Sequence, residues 1–566
     1  MVMSPVLLVP LLPLLTALIV TAGSDATRHF RARLAVWPIG AAFFGSLATL
    51  YAVATQGPIT ARLYDPALAA AHALPFGLYV DRLSAVMMVL ISSVSIVIYA
   101  YSVGYLYQDP HERRYLALIG VTTSVLLCMV ASANLLMLFV FWQFLSYLLY
   151  LLAHNHVHVA TLAGAFRTFT LLRVGDIAFL GGVVLAHSLY GTLEFPDLFG
   201  TTTAVSASLL PGLTIDGATA VTLLLFIGVM SKSAQVPLHV WLPRSLYAPT
   251  PVHALLHAGI INAGGFLINR LAPLFGMSSI TLHVAFVVGT MTAMLGASMM
   301  LAQSDIKKTL GFSTIGQMGY MIMECGLGAF SLAVFHLIAH GLFKATVFLN
   351  CGNVIHKARS EPHFPPLDHQ ADEEGFSRLT WLTGFVTTLL IPLLILLVTH
   401  GILRISLLES QGTVILLFFT WITSSQAILT LTRLRAVASW KVSAAMLVTL
   451  LFVVFVYLFA VESFTAFLYP DPAEVAFYFQ AAALPNWLFD LLIITATVLT
   501  VASWSYLYMH AHGRAMWMPA WIEGVRIRLY VLFMNRLYAD ELYQLLGQAT
   551  MRLIHLIDKR DQGWSR

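Results

Sequence analysis

The chain is 566 residues long, 59% hydrophobic and 10% charged, with a mean hydropathy of +0.83. That is too apolar and too charge-poor for a soluble chain of this size, so it reads as a polytopic, all-α membrane protein. The formal net charge of +4 is spread through loops; it bears on topology and gives no support to nucleic-acid binding.

The first hydrophobic run, Val6–Thr21, lacks a basic leader and a clear small-residue cleavage site, and is expected to be a retained span. At roughly 20 apolar residues per span, about fifteen spans are expected. They fall near 3–22, 34–54, 79–105, 115–133, 134–153, 165–190, 216–236, 250–272, 280–302, 309–327, 329–354, 378–400, 411–432, 442–464 and 486–510. Alternate loops carry the basic residues: Arg28, Arg31, Arg33, Arg113, Arg114, Arg167, Arg244, Lys307, Lys308, Lys357, Arg359, Arg433, Arg435 and Lys441. The other loops hold mostly acids, among them Asp65, Glu194, Asp197, Asp216, Glu409, Glu462, Asp471 and Glu474, with Arg62 and Arg404 as exceptions. Because short cytoplasmic loops carry the excess of Lys and Arg, this parity places the N-terminus outside and the C-terminus in the cytoplasm.

The three cysteines, Cys128, Cys325 and Cys351, lie in apolar runs without CxxC spacing, so no disulfide framework, zinc or iron–sulfur site is expected. His154, His156 and His158 form a short HxHxH before the sixth span; without carboxylate or cysteine companions it reads as a solvated channel mouth before it reads as a metal site. In the sixth span, Arg173 and Asp176 stand at i, i+3 and can pair as a structural clamp.

The seventh span carries Lys232, with no carboxylate in reach along the apolar turns before it. An ionisable residue in a span costs about 2.5–3.5 kcal/mol on insertion scales and is usually paired or functional. Pro237 then breaks the helix, with Ser231, Ser233 and Gln235 available to satisfy the freed backbone groups. His239, His253 and His257 flank the break, and His253 and His257 at i, i+4 either continue an ion path or bond freed carbonyls. Asp305, Lys307 and Lys308 at the ninth-to-tenth turn read as solvated charges anchoring a helix end. In the eleventh span His336, His340 and Lys344 recur at i, i+4, i+8 and stack on one helix face. Three ionisable groups on one stripe of an apolar helix point to a proton path, since histidine titrates near neutrality.

After the last span the chain turns basic and amphipathic. Within Glu541–Ile557 apolar residues recur at roughly helical spacing. This segment reads as an interfacial helix, as a docking surface for a cytoplasmic partner with Glu541, Tyr543 and Arg552 as its contacts, or as a basic tail on anionic lipid. No P-loop, dinucleotide fingerprint or GxSxG elbow occurs, so chemistry beyond ion movement is expected on another chain.

Several segments carry a resemblance: DRLSAVMM (81–88), LLRVGDIAFL (171–180), YGTLEF (190–195), KSAQVPLHVWLP (232–243), PTPVHALLHAG (249–259), LAQSDIKKTLGFSTIGQMGYM (301–321), FHLIAHGLFKATVFL (335–349) and, more weakly, NRLYADELY (535–543). They resemble the antiporter-like L subunit of respiratory complex I and its relatives in Mrp antiporters and membrane hydrogenases. The resemblance implies two inverted five-helix repeats, spans 4–8 (115–272) and 9–13 (273–440). These are preceded by helices 1–3 (1–114) and followed by spans 14–15 (441–512) and the tail (513–566). It also implies broken helices at spans 7 and 12 and a hydrated midplane line of charges. Lys232 takes the place of the family's first-half lysine, with His336, His340 and Lys344 linking toward the second half.

The departures are informative. Where the family has a glutamate after the fifth-span tryptophan, this chain has Gln143, which keeps hydrogen bonding but loses the charge; Asp176 is the candidate substitute. The twelfth span has Pro392 and His400 but no lysine. With a shortened C-terminal part, these features resemble the DabB family, the membrane subunits of DAB inorganic-carbon accumulation complexes. For that family the implied partner is DabA, a soluble zinc protein that hydrates CO2 to bicarbonate, with no cofactor on the membrane chain. The alternatives are a proton-pumping subunit of a complex I-like or hydrogenase assembly, an Mrp-type Na+/H+ antiporter subunit, and a structural anchor whose ion path is vestigial.

Overall fold

A computed structural model describes residues 5–22, 27–62, 77–153, 159–200, 206–210, 213–243, 249–360, 461–511 and 520–539, together with a few single positions. The spans expected at 378–400, 411–432 and 442–464, and His154, His156, His158, His400 and Arg552, lie outside the described residues.

The described chain is helical throughout apart from two short hairpins. The N-terminal helices are α1 (Leu12–Thr21), α2 (Arg28–Leu34) and α3 (Val36–Gln56). The hairpin β1–β2 pairs Ile59–Arg62 with Gly77–Val80 and leads into α4 (Arg82–Tyr105), α5 (Glu112–Val130), α6 (Leu135–Ala153), α7 (Val159–Tyr190) and the short α8 (Phe195–Gly200). The hairpin β3–β4 (Ser206–Leu210, Leu213–Asp216) precedes α9 (Gly217–Lys232). Then come α10 (Thr250–Ala258), α11 (Ala263–Arg270), α12 (Ala272–Gly276), α13 (Ser279–Ala302), α14 (Ile306–Gly326) and α15 (Phe330–Ser360). The last three are α16 (Pro472–Ala481), α17 (Asn486–Ala511) and α18 (Ala520–Met534).

Eight helices among the described residues are long and apolar enough to cross a membrane, or nine if the pair bent by 84° between Ala481 and Asn486 is one span. The expected fifteen therefore reduce, on what is described, to a multi-pass helical protein. Two expected spans, 3–22 and 216–236, come out as shorter helices, and a third is interrupted. Residues 3–22 contain two 3-10 turns and then α1, because Pro10 and Pro13 cannot serve inside a continuous helix. Residues 250–272 divide into α10 and α11 around a 3-10 turn at Ile260–Asn262.

Acidic and hydroxyl caps set where helices begin. The Asp81 carboxylate accepts from the Ser84 amide (2.9 Å), Asp216 from Thr219 (3.0 Å) and Asp305 from Lys308 (2.9 Å). Each satisfies an orphan N–H and places negative charge at the positive end of a helix dipole. Asp305 thus anchors α14, as its place in the sequence suggests.

One end of the bundle carries both hairpins, Glu194 bridged to Asn134, and Asp216; the opposite end carries Arg28 on Glu112 (2.6 Å) and Arg114 on the Leu151 carbonyl (2.6 Å). Between them α13 and α14 pack so closely that a Cβ on Gly289, Gly296 or Gly319 would strike the facing backbone, which is small-residue packing of the membrane kind.

Candidate functional site: two groups of buried ionisable side chains

The first group is built by α6, α7 and α9. Lys232 is the last residue of α9 and is 1% exposed. Beyond it the chain turns at Ser233 and Ala234, the latter at φ +49°. The carbonyls released there are taken up locally: Trp241 Nε1 donates to Ser231 O (2.8 Å) and Gln235 Nε2 to Ser233 O (2.9 Å). Ser233 Oγ donates instead to Ile261 O (2.7 Å), at the interruption between α10 and α11, so the two breaks brace one another. Buried irregular backbone of this kind persists only when its polar groups are paired. At Gly175 a Cβ would collide with the Ser231 side chain, so that glycine lets α7 and α9 close around the lysine.

Lys232 Nζ donates to the Trp142 carbonyl (3.1 Å) and to Ser146 Oγ, and sits 4.9 Å from the Trp142 ring centroid. Trp142 Nε1 donates to Asp176 Oδ1 at 2.8 Å, which places the carboxylate on the far edge of that indole and within electrostatic reach of the ammonium. Gln143 does not face Lys232: its Oε1 accepts from Arg173 Nη1. Arg173 Nη2 also lies 2.7 Å from Asp176 Oδ2, a charge contact without hydrogen-bond alignment. The Arg173–Asp176 clamp expected from spacing is thus present, and Gln143 extends it. Trp142 and Ser146, the direct partners of Lys232, carried no signal in the sequence beyond lying one turn apart on an apolar helix.

The second group joins α10, α14 and α15. His253 and His257 are fully buried on α10, and Phe348 of α15 stacks on His257 with centroids 4.4 Å apart at 9°. His257 lies within electrostatic reach of His253, Lys344 and His340, and His340 within reach of His336 and Lys344. Lys344, 1% exposed, donates to Leu310 O at 3.3 Å, which brings α14 against the stripe. His336 bridges two α14 residues: Nδ1 meets Glu324 Oε2 at 3.0 Å and Nε2 meets Gln317 Oε1 at 2.9 Å. The structure therefore brings His253, His257, His336, His340 and Lys344 together and sets Lys232, Gln143 and Asp176 in a neighbouring group. Glu324, 4% exposed, is a member that sequence reading missed.

Among the described residues, neither ring nitrogen of His257 or of His340 has a hydrogen-bond partner. A buried imidazole without a protein partner needs water, since a dry unpaired polar atom costs about 1–3 kcal/mol. Lys232, Lys344 and these rings form a buried polar interior in otherwise apolar helices.

Of the candidates in the tail, Glu541 is exposed, whereas Tyr543 donates its hydroxyl to Pro237 O at 3.0 Å. The tail thereby touches the irregular segment just beyond Lys232.

Residues 132–430 match the family described as NADH:quinone oxidoreductase/Mrp antiporter, TM, and residues 68–116 match complex I chain 5 N-terminus. The chain is 38% identical over 573 residues to a protein of Halothiobacillus neapolitanus described as probable inorganic carbon transporter subunit DabB1, covering 99% of each. It is 38% identical over 360 residues to the NAD(P)H-quinone oxidoreductase chain 5 of Synechocystis, where the match spans 62% of this chain and 52% of that one. Among solved structures, the Mrp complex from Dietzia aligns with a TM-score of 0.56 at 22% identity, over 97% of this chain and 60% of that one, which speaks to fold alone. This chain therefore belongs to the NADH:quinone oxidoreductase/Mrp antiporter family of ion-translocating membrane subunits, and within it is a homologue of DabB.

Proposed function

We propose that this chain is the cation-conducting, specifically proton-conducting, subunit of an inorganic-carbon accumulation complex, and that ion flow through it drives hydration of CO2 to bicarbonate on a soluble zinc-bearing partner of the DabA kind. The observation that carries the ion path is the buried set His253, His257, His340 and Lys344 standing beside Lys232 in otherwise apolar helices. The carbon-accumulation role is supported by similarity along 99% of a DabB1 subunit, where the likeness to chain 5 proteins covers 62% of the chain. The zinc chemistry belongs to the partner, and this chain carries no cofactor in this reading. The end bearing Arg28, Arg114, Lys307 and Lys308 faces the cytoplasm of a bacterial inner membrane, with the N-terminus periplasmic and the tail cytoplasmic. The two inverted repeats assign Lys232 to the first half-path and Lys344 to the link with the second, with His400 as a candidate beyond it.

Lys344→Ala is expected to abolish bicarbonate accumulation in cells while the protein remains in the membrane fraction at normal abundance; full accumulation in that variant would sink the ion-path reading. For the partner, deletion of residues 540–566, which removes Glu541, Tyr543 and Arg552, is expected to leave the chain inserted and to release a single large zinc-containing protein that co-purifies with the full chain. Retention of that protein by the truncated chain would refute tail docking. A set of redox subunits co-purifying instead would support a complex I-like role, the reading that the chain 5 similarity favours.

A further inference from the structure

Three carboxylates among the described residues are more than nine-tenths buried: Glu112, Asp176 and Glu324. Glu112 is held by Arg28 and Asp176 by Arg173. An arginine keeps its proton in a protein, so those two carboxylates face a permanent positive charge. Glu324 differs. Its charge partner is His336, at 3.0 Å, whose imidazole, unlike a guanidinium, exists in neutral and cationic forms. The pair can therefore be Glu–COOH with neutral imidazole or carboxylate with imidazolium, at the same total charge.

Its position is equally distinctive. Glu324 lies two residues before the C-terminal end of α14, where His336 begins the stripe that runs through His340 to Lys344. On its other side the next residue, Cys325, accepts from Asn269 Nδ2 through Sγ at 3.6 Å. Asn269 lines a cavity of about 360 Å³ shared with Asp81, Arg270, Tyr469 and Glu474, at the hairpin-bearing end of the bundle. Asn269 is 3% exposed and, among the described residues, its Oδ1 has no hydrogen-bond partner, nor has Arg270 Nε. Tyr469 lies within electrostatic reach of Cys325.

We propose that Glu324 is a proton-carrying residue of this chain, the relay between the His336–His340–Lys344 stripe and water at the hairpin-bearing end of the bundle. With Nε2–H donated to Gln317 Oε1, His336 presents Nδ1 to Glu324. Transfer breaks the carboxyl O–H bond and forms N–H on Nδ1, giving carboxylate and imidazolium; the carboxylate is then reprotonated from water at that end of the bundle, or the sequence runs in reverse. The assignment rests on the proton-path reading above and adds to it a port at the hairpin end of the bundle.

The test uses the full chain with the subunits that co-purify with it, reconstituted in vesicles carrying a pH-sensitive dye, under an imposed proton gradient. Glu324→Gln preserves the shape and a hydrogen bond to His336 but cannot carry a proton; it is expected to lower flux at least about tenfold, as removal of a positioned acid–base group does. Glu324→Asp is expected to restore a substantial part of it, and Lys344→Ala serves as the path control. Wild-type flux in Glu324→Gln alongside a silent Lys344→Ala overturns this proposal and leaves the path reading intact. Wild-type flux in both overturns the path reading itself. Equal loss in the Gln and Asp variants would mark the side chain as a packing piece and would also overturn the relay.

Discussion

Lys232→Ala is expected to reduce proton flux in reconstituted vesicles by about two orders of magnitude, the scale on which a positioned proton-transfer group contributes. The protein should still insert and fold. Removing the ammonium leaves the Trp142 carbonyl and Ser146 Oγ without their donor, at a cost of about 1–3 kcal/mol, which a chain held by so extensive a helical core tolerates. The decisive companion is Lys232→Arg. Guanidinium keeps the positive charge beside Asp176 and can still donate to Trp142 O, yet it does not release its proton. If Lys232 serves as a proton carrier, the arginine variant is as silent as the alanine one. If arginine sustains flux, the side chain supplies only a fixed charge. Wild-type flux in both would show that the proton path does not run through Lys232.

The expectation that Gln143 replaces the partner of Lys232 shows where sequence reasoning stops. The identity of the residue was legible; its direction was not. Residues 142 and 143 point to different neighbours on α6, so Trp142 and Ser146 meet Lys232 while Gln143 meets Arg173. The long helices α4, α6, α13 and α15 were legible because each is an apolar run close to bilayer length. The end of α9 at Lys232 was marked by the polar run before Pro237. The interruption of residues 250–272 had no such local mark. It lies at Gly259–Asn262, where Leu126 presses on Gly259 and Ser233 Oγ takes the Ile261 carbonyl, and both contacts come from distant chain. Glu324 was passed over for a related reason: an acid near a helix end usually faces water. Only the approach of α11 and α15 buries it and supplies His336.

The largest expected loss of stability comes from Asp81→Ala. Asp81 caps α4 and at the same time receives Arg270, the last residue of α11, through two bonds of 2.6 and 3.1 Å. The Arg270 side chain is 1% exposed and is ringed by Tyr79, Phe195 and Phe266 at 5.5–5.7 Å from each centroid. Those rings offer weak attraction and no proton acceptor, so the guanidinium depends on Asp81 and on Ser84 Oγ. Leaving a buried charge without its partner costs about 3–5 kcal/mol. The lower end applies here, because the Asp81 side chain is 26% exposed and water can follow it in; loss of the cap adds about 1 kcal/mol. The variant should unfold several degrees lower than the parent in detergent, read by intrinsic fluorescence. Asp81→Ala combined with Arg270→Met should recover most of the loss, because an apolar replacement of both partners removes the stranded charge. An unchanged midpoint for the single variant would show that the start of α4 and the end of α11 are held by packing alone. Recovery in the double variant would assign the loss to the stranded Arg270 charge, whereas a loss that persists would identify the pair as the tie that fixes the interrupted α10–α11 segment, and with it His253, His257 and Asn269, against the rest of the bundle.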